Sequence, residues 1–421
     1  MARGQPMKSP APGRFSPVRS EGGPQPTATS RRVFLQSAWS LGVALRLTAA
    51  PAALQAQAAH ADDRPWEDGE LLGHLDFQAE PAAEAGRRIY EGLDTRLYTD
   101  LSRVRADRLL TPVDEFYIRT GIPDRLDRSR PWQIRIGGLV DRPAVLTMAD
   151  LEARTAPMGP HLMECAGNNR AFRFGLMSAA EWSGVNVSEL LAEHPRAPEA
   201  TSVLIEGFDD YSSSSTTSTQ GSAWIFRLDQ LEEAGAFLAT RMNGEELTPD
   251  HGFPVRLMVP GWYGCCCIKW VNRIELVDEN WAATSQMTEF ALRTHQGGVP
   301  EKAAAFQPAI VDRAAMPIRI EKWRVGGALR YRVIGIDWGG DRARAGLRIR
   351  FRPGQPWQPV EAQPAADVPS THWALWSHRW SPTSPGRYLL QLDVDDPGIQ
   401  TRRLDLAYYA RGIELADTEG V

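Results

Sequence analysis

The chain has 421 residues, of which 43% are hydrophobic, 24% charged and 9% aromatic. That composition excludes a stapled mini-protein, a chain disordered throughout and a bundle of membrane spans. The formal charge is −5, and residues 1–60 carry seven Lys/Arg against a single Glu. The remainder is therefore more acidic than the total, which argues against a nucleic-acid partner.

Taken in chain order, residues 1–58 read as a leader. Ser30-Arg31-Arg32-Val33-Phe34-Leu35-Gln36 precedes a mildly apolar run over 38–53 that Arg46 interrupts, and Ala56-Gln57-Ala58 offers a cleavage site. This is a twin-arginine export pattern, too short and weak for a permanent membrane anchor, and it predicts a periplasmic protein. Residues 59–113 are charged and mixed, and are expected to form an arm over the first domain. In 114–302, a strand and turn over 132–147, helices over 188–193 and 228–239, and strands over 202–206, 255–259 and 268–277 indicate an α+β domain. From 303 to 421, short runs at 318–325, 331–338, 347–351, 372–380, 387–394 and 404–409 alternate with Gly/Pro/Asp turns. These predict a β-sandwich of immunoglobulin type.

The four cysteines are Cys165 and the run Cys265-Cys266-Cys267. They make no disulfide framework, and without C-x-x-C or C-x-x-C-H they exclude a zinc knuckle and covalent c-type haem on this chain. Adjacent side chains of a strand point to opposite faces, so the run is expected to be buried in a strand and not to converge on a metal. Cys165 sits in His161-Leu162-Met163-Glu164-Cys165-Ala166-Gly167-Asn168-Asn169-Arg170, where small residues let a ligand approach the backbone. It is either a buried hydrophobe or a ligand or nucleophile. Glycines 252, 261 and 264 among His251, Arg256 and Lys269 supply the backbone N–H groups and cations of an anion cradle. Arg119 ends the aromatic run Phe116-Tyr117-Ile118, and Asp209-Asp210-Tyr211 with the Ser/Thr run 212–218 is either a cavity wall or a polar loop.

From Asp114 to the C-terminus the chain resembles the sulfite oxidase family of molybdenum enzymes. The resemblance rests on FYIRT at 116–120, MECAGNNR at 163–170, Trp182-Ser183-Gly184-Val185, MNGEELTPDHGFPVRLMVPGWYG at 242–264 and Ile268-Lys269-Trp270. It implies that Cys165 gives its thiolate to a molybdenum held by one molybdopterin, a soft donor suited to such a centre. Arg119 and Arg170 would hold a small anionic sulfur substrate with their guanidinium forks, and Trp182 would wall its pocket. Arg119, Thr120, Asp210, His251, Arg256 and Lys269, with backbone groups of Cys267 and Ile268, would bind the cofactor. The C-terminal domain would dimerise, and a separate c-type cytochrome would take the electrons.

The chain departs from the family in two places. Arg119-Thr120-Gly121 stands where Arg-Asn-His is common, and Phe290 stands near the place of an expected tyrosine, so a histidine and a phenol are expected to be missing. Three readings follow: oxidation of sulfite or a related sulfur compound, reduction of a sulfoxide, or an exported binding protein without catalysis.

Overall fold

The computed structural model describes residues 64–78, 80, 92–215, 218, 220–340, 346–363, 368–394 and 408–416. The predicted leader lies outside these residues, and of the predicted strand 404–409 only Tyr408 and Tyr409 lie within them. Among the described residues, strands outnumber helices heavily and each α-helix is one or two turns long, so the chain is mostly β. Among the described residues no helix is long and apolar enough to cross a membrane.

After β1 (Glu70–His74), the first half contains β2 (Gln133–Gly138), β3 (Ala144–Thr147), β4 (Ala156–Glu164), β5 (Met177–Asn186), β6 (Ser202–Gly207), β7 (Ala223–Arg227), β8 (Phe237–Met242), β9 (Glu245–Glu246), β10 (Arg256–Met258) and β11 (Val271–Val277). One sheet has the order β10-β8-β5-β4, with β9 on β8, and the other β3-β2-β11-β6-β7. Only β2 and β11 pair in parallel in that second sheet. The helices are α1 (Met148–Glu152), α2 (Val187–Ala192), α3 (Leu228–Ala234) and α4 (Ser285–Phe290). α1 begins at Met148 because Thr147 and Asp150 form a reciprocal capping box.

The helix expected over 228–239 is shorter. Gly235 adopts φ +62° and ends α3, donating its N–H to Glu232, and Ala236 N–H bonds back to Leu231. This left-handed stop suits glycine, and the apolar residues after it enter the sheet as β8. The cysteine run is not in a strand either. Gly264–Cys266 form a 3-10 turn, and Cys267 follows it as the capping residue.

The second half contains β12 (Ala314–Val325), β13 (Ala328–Trp338), β14 (Leu347–Arg350), β15 (Gln358–Pro359), β16 (Ala374–Trp380), β17 (Gly386–Val394) and β18 (Arg411–Leu415). They form the sheets β1-β12-β13-β16 and β15-β14-β17-β18. Ile320, Val333 and Trp376 of the first pack with Ile349, Leu392 and Ile413 of the second in one buried cluster. Alternate residues of the same strands, such as Ile334, Ile336 and Trp338, join the main core with the first half. β13 is thus buried on both faces, which the period of two in a strand allows only if both faces are apolar or paired. Its charged members comply: Arg332 meets Glu321 at 2.8 Å and Asp337 meets Arg313 at 3.0 Å.

The arm divides between the two halves. β1 pairs with β12, and not with the first half as expected, whereas residues 92–113 do lie on the first half, where Leu97 pairs with Ile118 and Thr99 with Gly175.

Candidate active site

β4 ends at Glu164, and the next residue, Cys165, faces a cleft enclosing about 950 Å³ of unfilled space, part of it open to solvent. Backbone bonds from Cys165 N–H to Leu176 O and from Asn168 N–H to Cys165 O, both 2.9 Å, fix the turn. The Gly167 N–H points at Cys165 Sγ from 3.4 Å, a donor that favours thiolate. Glu164 is wholly buried behind it and accepts from Trp338 Nε1 at 2.9 Å, Tyr409 Oη at 3.0 Å and Asn168 Nδ2 at 3.3 Å. Two of those donors belong to the second half, so the cysteine loop is tied to both halves.

Facing Cys165 is a group of buried cations. Arg256 donates to the carbonyls of His251 (3.1 Å) and Cys267 (3.2 Å), while its Nε has no partner. Lys269 Nζ donates to the carbonyls of Thr120 and Asp250 and lies 4.3 Å from the centre of the Trp270 ring. Among the described residues no carboxylate pairs with either cation. Burial, and then their mutual repulsion in the case of Lys269, pushes both downward. Positive groups held in the interior by neutral partners alone are costly unless an anion completes them. Arg119 Nη1 donates to Ser218 Oγ at 2.6 Å, and Arg96 Nη2 reaches the same oxygen at 2.9 Å. Burial, followed by repulsion from Arg119, pushes Arg96 down to about 10. Arg96 comes from the arm, and no motif marks it.

Of the residues expected at the site, Cys165, Arg119, Thr120, His251, Arg256, Cys267, Ile268 and Lys269 all line this cleft. His251 does so with its ring already engaged: Nε2 donates to Phe116 O (3.1 Å) and Nδ1 accepts from Thr248 Oγ1 (2.7 Å). The carbonyls of Cys267 and Ile268 are likewise bonded within the protein, to Arg256 and to Leu257 N–H. Cys265 lines the cleft too, whereas Cys266 does not.

Three expectations change. Asp210 lies outside the cleft in an exposed ion pair with Arg125 at 3.0 Å. Its neighbour Asp209 faces the cleft instead, bonded to the N–H groups of Gly221 and Ser222, and burial pushes it up. Arg170 donates to the Ala410 carbonyl and is not on the cleft wall. Trp182 is wholly buried behind that wall, donating to His161 O at 3.3 Å with the Arg256 guanidinium 5.7 Å over its ring. It supports a cofactor-side cation and does not touch the pocket.

Both departures from the family have a structural counterpart. At Gly121 a Cβ would stand 2.3 Å from Thr95 Oγ1 and 2.7 Å from Gly92 O, so the arm fills the place of the missing histidine. Gly121→Ala should therefore destabilise the protein by about 1–3 kcal/mol, as overpacking does. Thermal unfolding checks this, and an unchanged midpoint would refute the clash. Phe290 does line the cleft without a hydroxyl, but a phenol is present after all, on Tyr117. Its hydroxyl lies against Gly264, where a Cβ would be 2.6 Å away, and burial, then Cys165, pushes it well up, so it stays protonated.

Two imidazoles of this region are held neutral, since burial pushes His251 down to about 3 and His161 down to about 4 from 6.5. Below about pH 6.5 the unfolded chain takes up these protons and the folded chain does not, so stability rises with pH up to that point and is lost on acidification. Tm should fall between about pH 6.5 and pH 4, and His161→Phe should flatten the slope. An unaltered slope in that variant would contradict the neutral burial of His161.

Comparison with known proteins gives the arrangement its context. Residues 119–285 match the oxidoreductase molybdopterin binding domain family. Sulfite oxidase of Gallus gallus is 26% identical over 372 residues, covering 82% of this chain and 74% of its own. The chain therefore carries a molybdopterin-binding oxidoreductase domain and is similar to the sulfite oxidase family. An NADH nitrate reductase of Brassica napus is 35% identical over 191 residues, and this chain spans 21% of its length. The sulfane dehydrogenase SoxCD of Paracoccus pantotrophus shares the fold with a TM-score of 0.57 and 20% identity, covering 78% of this chain and 88% of its own. These matches indicate an oxidoreductase and set aside the reading as a binding protein without catalysis. The cleft fits the family's molybdenum-molybdopterin: a thiol on one wall, cations without a paired carboxylate on another, and an Arg256 Nε still lacking a partner.

Proposed function

We propose that this chain is an exported, periplasmic molybdenum oxidoreductase that oxidises sulfite or a related sulfur compound by oxygen-atom transfer, passing electrons to a separate c-type cytochrome. The observation that carries this reading is the cleft that joins Cys165 to Arg256, Lys269 and Arg119. Cys165 would give its sulfur to the metal, while Lys269 and Arg256 would hold the phosphate-bearing pterin. When bound, that group supplies the two-electron acceptance and the transferable oxygen. Sulfite and water then give sulfate, two protons and two electrons overall. Arg119, braced with Arg96 on Ser218, orients the anion by charge-assisted bonds, and the Tyr117 phenol offers a hydrogen-bond donor inside the cleft.

Sulfane sulfur belongs in this substrate class because the protein of similar fold from Paracoccus pantotrophus is a sulfane dehydrogenase. The twin-arginine pattern supports export, and the resemblance of residues 303–421 to an immunoglobulin-like dimerisation domain supports a homodimer. The test is a substrate screen on metal-replete protein. Reduction of cytochrome c on adding sulfite or a sulfane donor is expected. Reoxidation of dye-reduced protein by sulfoxides, with no response to reduced sulfur, would replace this reading by the reductase. A protein that matures without molybdenum would remove both.

A further inference from the structure

We infer that Arg293 is a further substrate-binding residue, which selects oxyanions at the mouth of the cleft; this rests on reading the cleft as a site for sulfur oxyanions. α4 carries Glu289 and Phe290 onto the cleft wall, and the 3-10 turn Ala291–Arg293 follows directly. The Arg293 guanidinium carbon lies 5.4 Å from the centre of the Phe290 ring. A Cβ placed on Gly167 would stand 3.7 Å from Arg293 Nη1 and 3.8 Å from Cys165 Sγ. The cation and the thiol therefore flank the same point.

Arg293 is exposed, and among the described residues neither a carboxylate nor a hydrogen-bond acceptor takes its N–H groups. Glu289, four residues earlier, is placed where an ion pair along the turn would normally form, yet the two do not pair. The guanidinium instead rests on an aromatic face, which orients it without occupying its donor fork. That fork matches the paired oxygens of a sulfur oxyanion. The position also accounts for how an anion is held beside Cys165 when Arg170 is committed to the Ala410 carbonyl.

The experiment uses the full, molybdenum-loaded protein with Arg293→Ala and Arg293→Lys, and sulfate as the probe in calorimetric titration. Sulfate should bind roughly five- to tenfold more weakly to the Ala variant, with part of the loss recovered by Lys, at unchanged metal content and unchanged Tm. With sulfite as substrate, KM should rise by a similar factor while kcat stays within about twofold. Sulfate binding that is equal in the Ala variant, or absent from the parent protein, overturns the assignment. If the parent oxidises no sulfite but the Ala variant still loses sulfate, the oxidase reading fails and the anion site stands.

Discussion

Cys165→Ser should lose turnover by more than about 100-fold, since even residues that only support a metal ligand cost 10–100-fold when replaced. The fold should survive. Serine nearly matches cysteine in volume, its hydroxyl can still meet the Gly167 N–H, and the turn is fixed by backbone bonds that the change leaves alone. The metal-thiolate absorption band should vanish along with activity. Cys265→Ser and Cys267→Ser form the control, because both residues line the same cleft. Burial pushes the Cys267 thiol up, which keeps it protonated and a poor ligand. Those variants should therefore keep activity within about tenfold. A Cys165→Ser protein with normal turnover would refute the ligand assignment, and loss of the band in Cys267→Ser alone would move it.

Glu164→Ala should be the most damaging substitution for stability. It leaves the indole N–H of Trp338, the hydroxyl of Tyr409 and the amide of Asn168 without their shared acceptor, all in a wholly buried place. Orphaned donors cost about 1–3 kcal/mol each, though neighbouring relaxation recovers part of the sum, so a loss of roughly 3–5 kcal/mol is expected. Tm should drop by several degrees, and by less in Glu164→Gln, which keeps one accepting oxygen but turns an NH2 toward one of the donors. Because the carboxylate adjoins Cys165 and binds residues of the second half, the Ala variant should also retain less molybdenum. An unshifted Tm would show that these bonds contribute nothing net.

The resemblance motifs led directly to Cys165, Arg119, Thr120, His251, Arg256 and Lys269, which the fold brings to one cleft. Local patterns also placed most strands of the second half, where alternation and turn residues agree. Arg170 and Trp182 share those motifs and still point elsewhere. After Arg170 the chain takes left-handed conformations at Arg173 and Phe174, at φ 50° and 59°, and no residue type there announces the reversal. Asp209 and Asp210 are neighbours in sequence, and only the path of the chain decides which one faces inward. Arg96, Glu164 and Arg293 carry no local signature, because what makes them matter is a segment far away along the chain: Ser218 for Arg96, Trp338 and Tyr409 for Glu164, and Gly167 beside Cys165 for Arg293.

The amino-acid sequence by itself determined the resemblance to a family, the identity of the thiol and of the cations facing it, and the β-rich character of the second half, because each rests on residue types at short spacing. Tertiary structure alone decided which of two carboxylates meets the cleft, why glycine replaces histidine at 121, and which arginines are left to receive an anion. Those outcomes depend on steric exclusion and hydrogen-bond competition between segments distant in the chain, such as Thr95 against Gly121 or Ala410 against Arg170, and such competition has no period or motif to read.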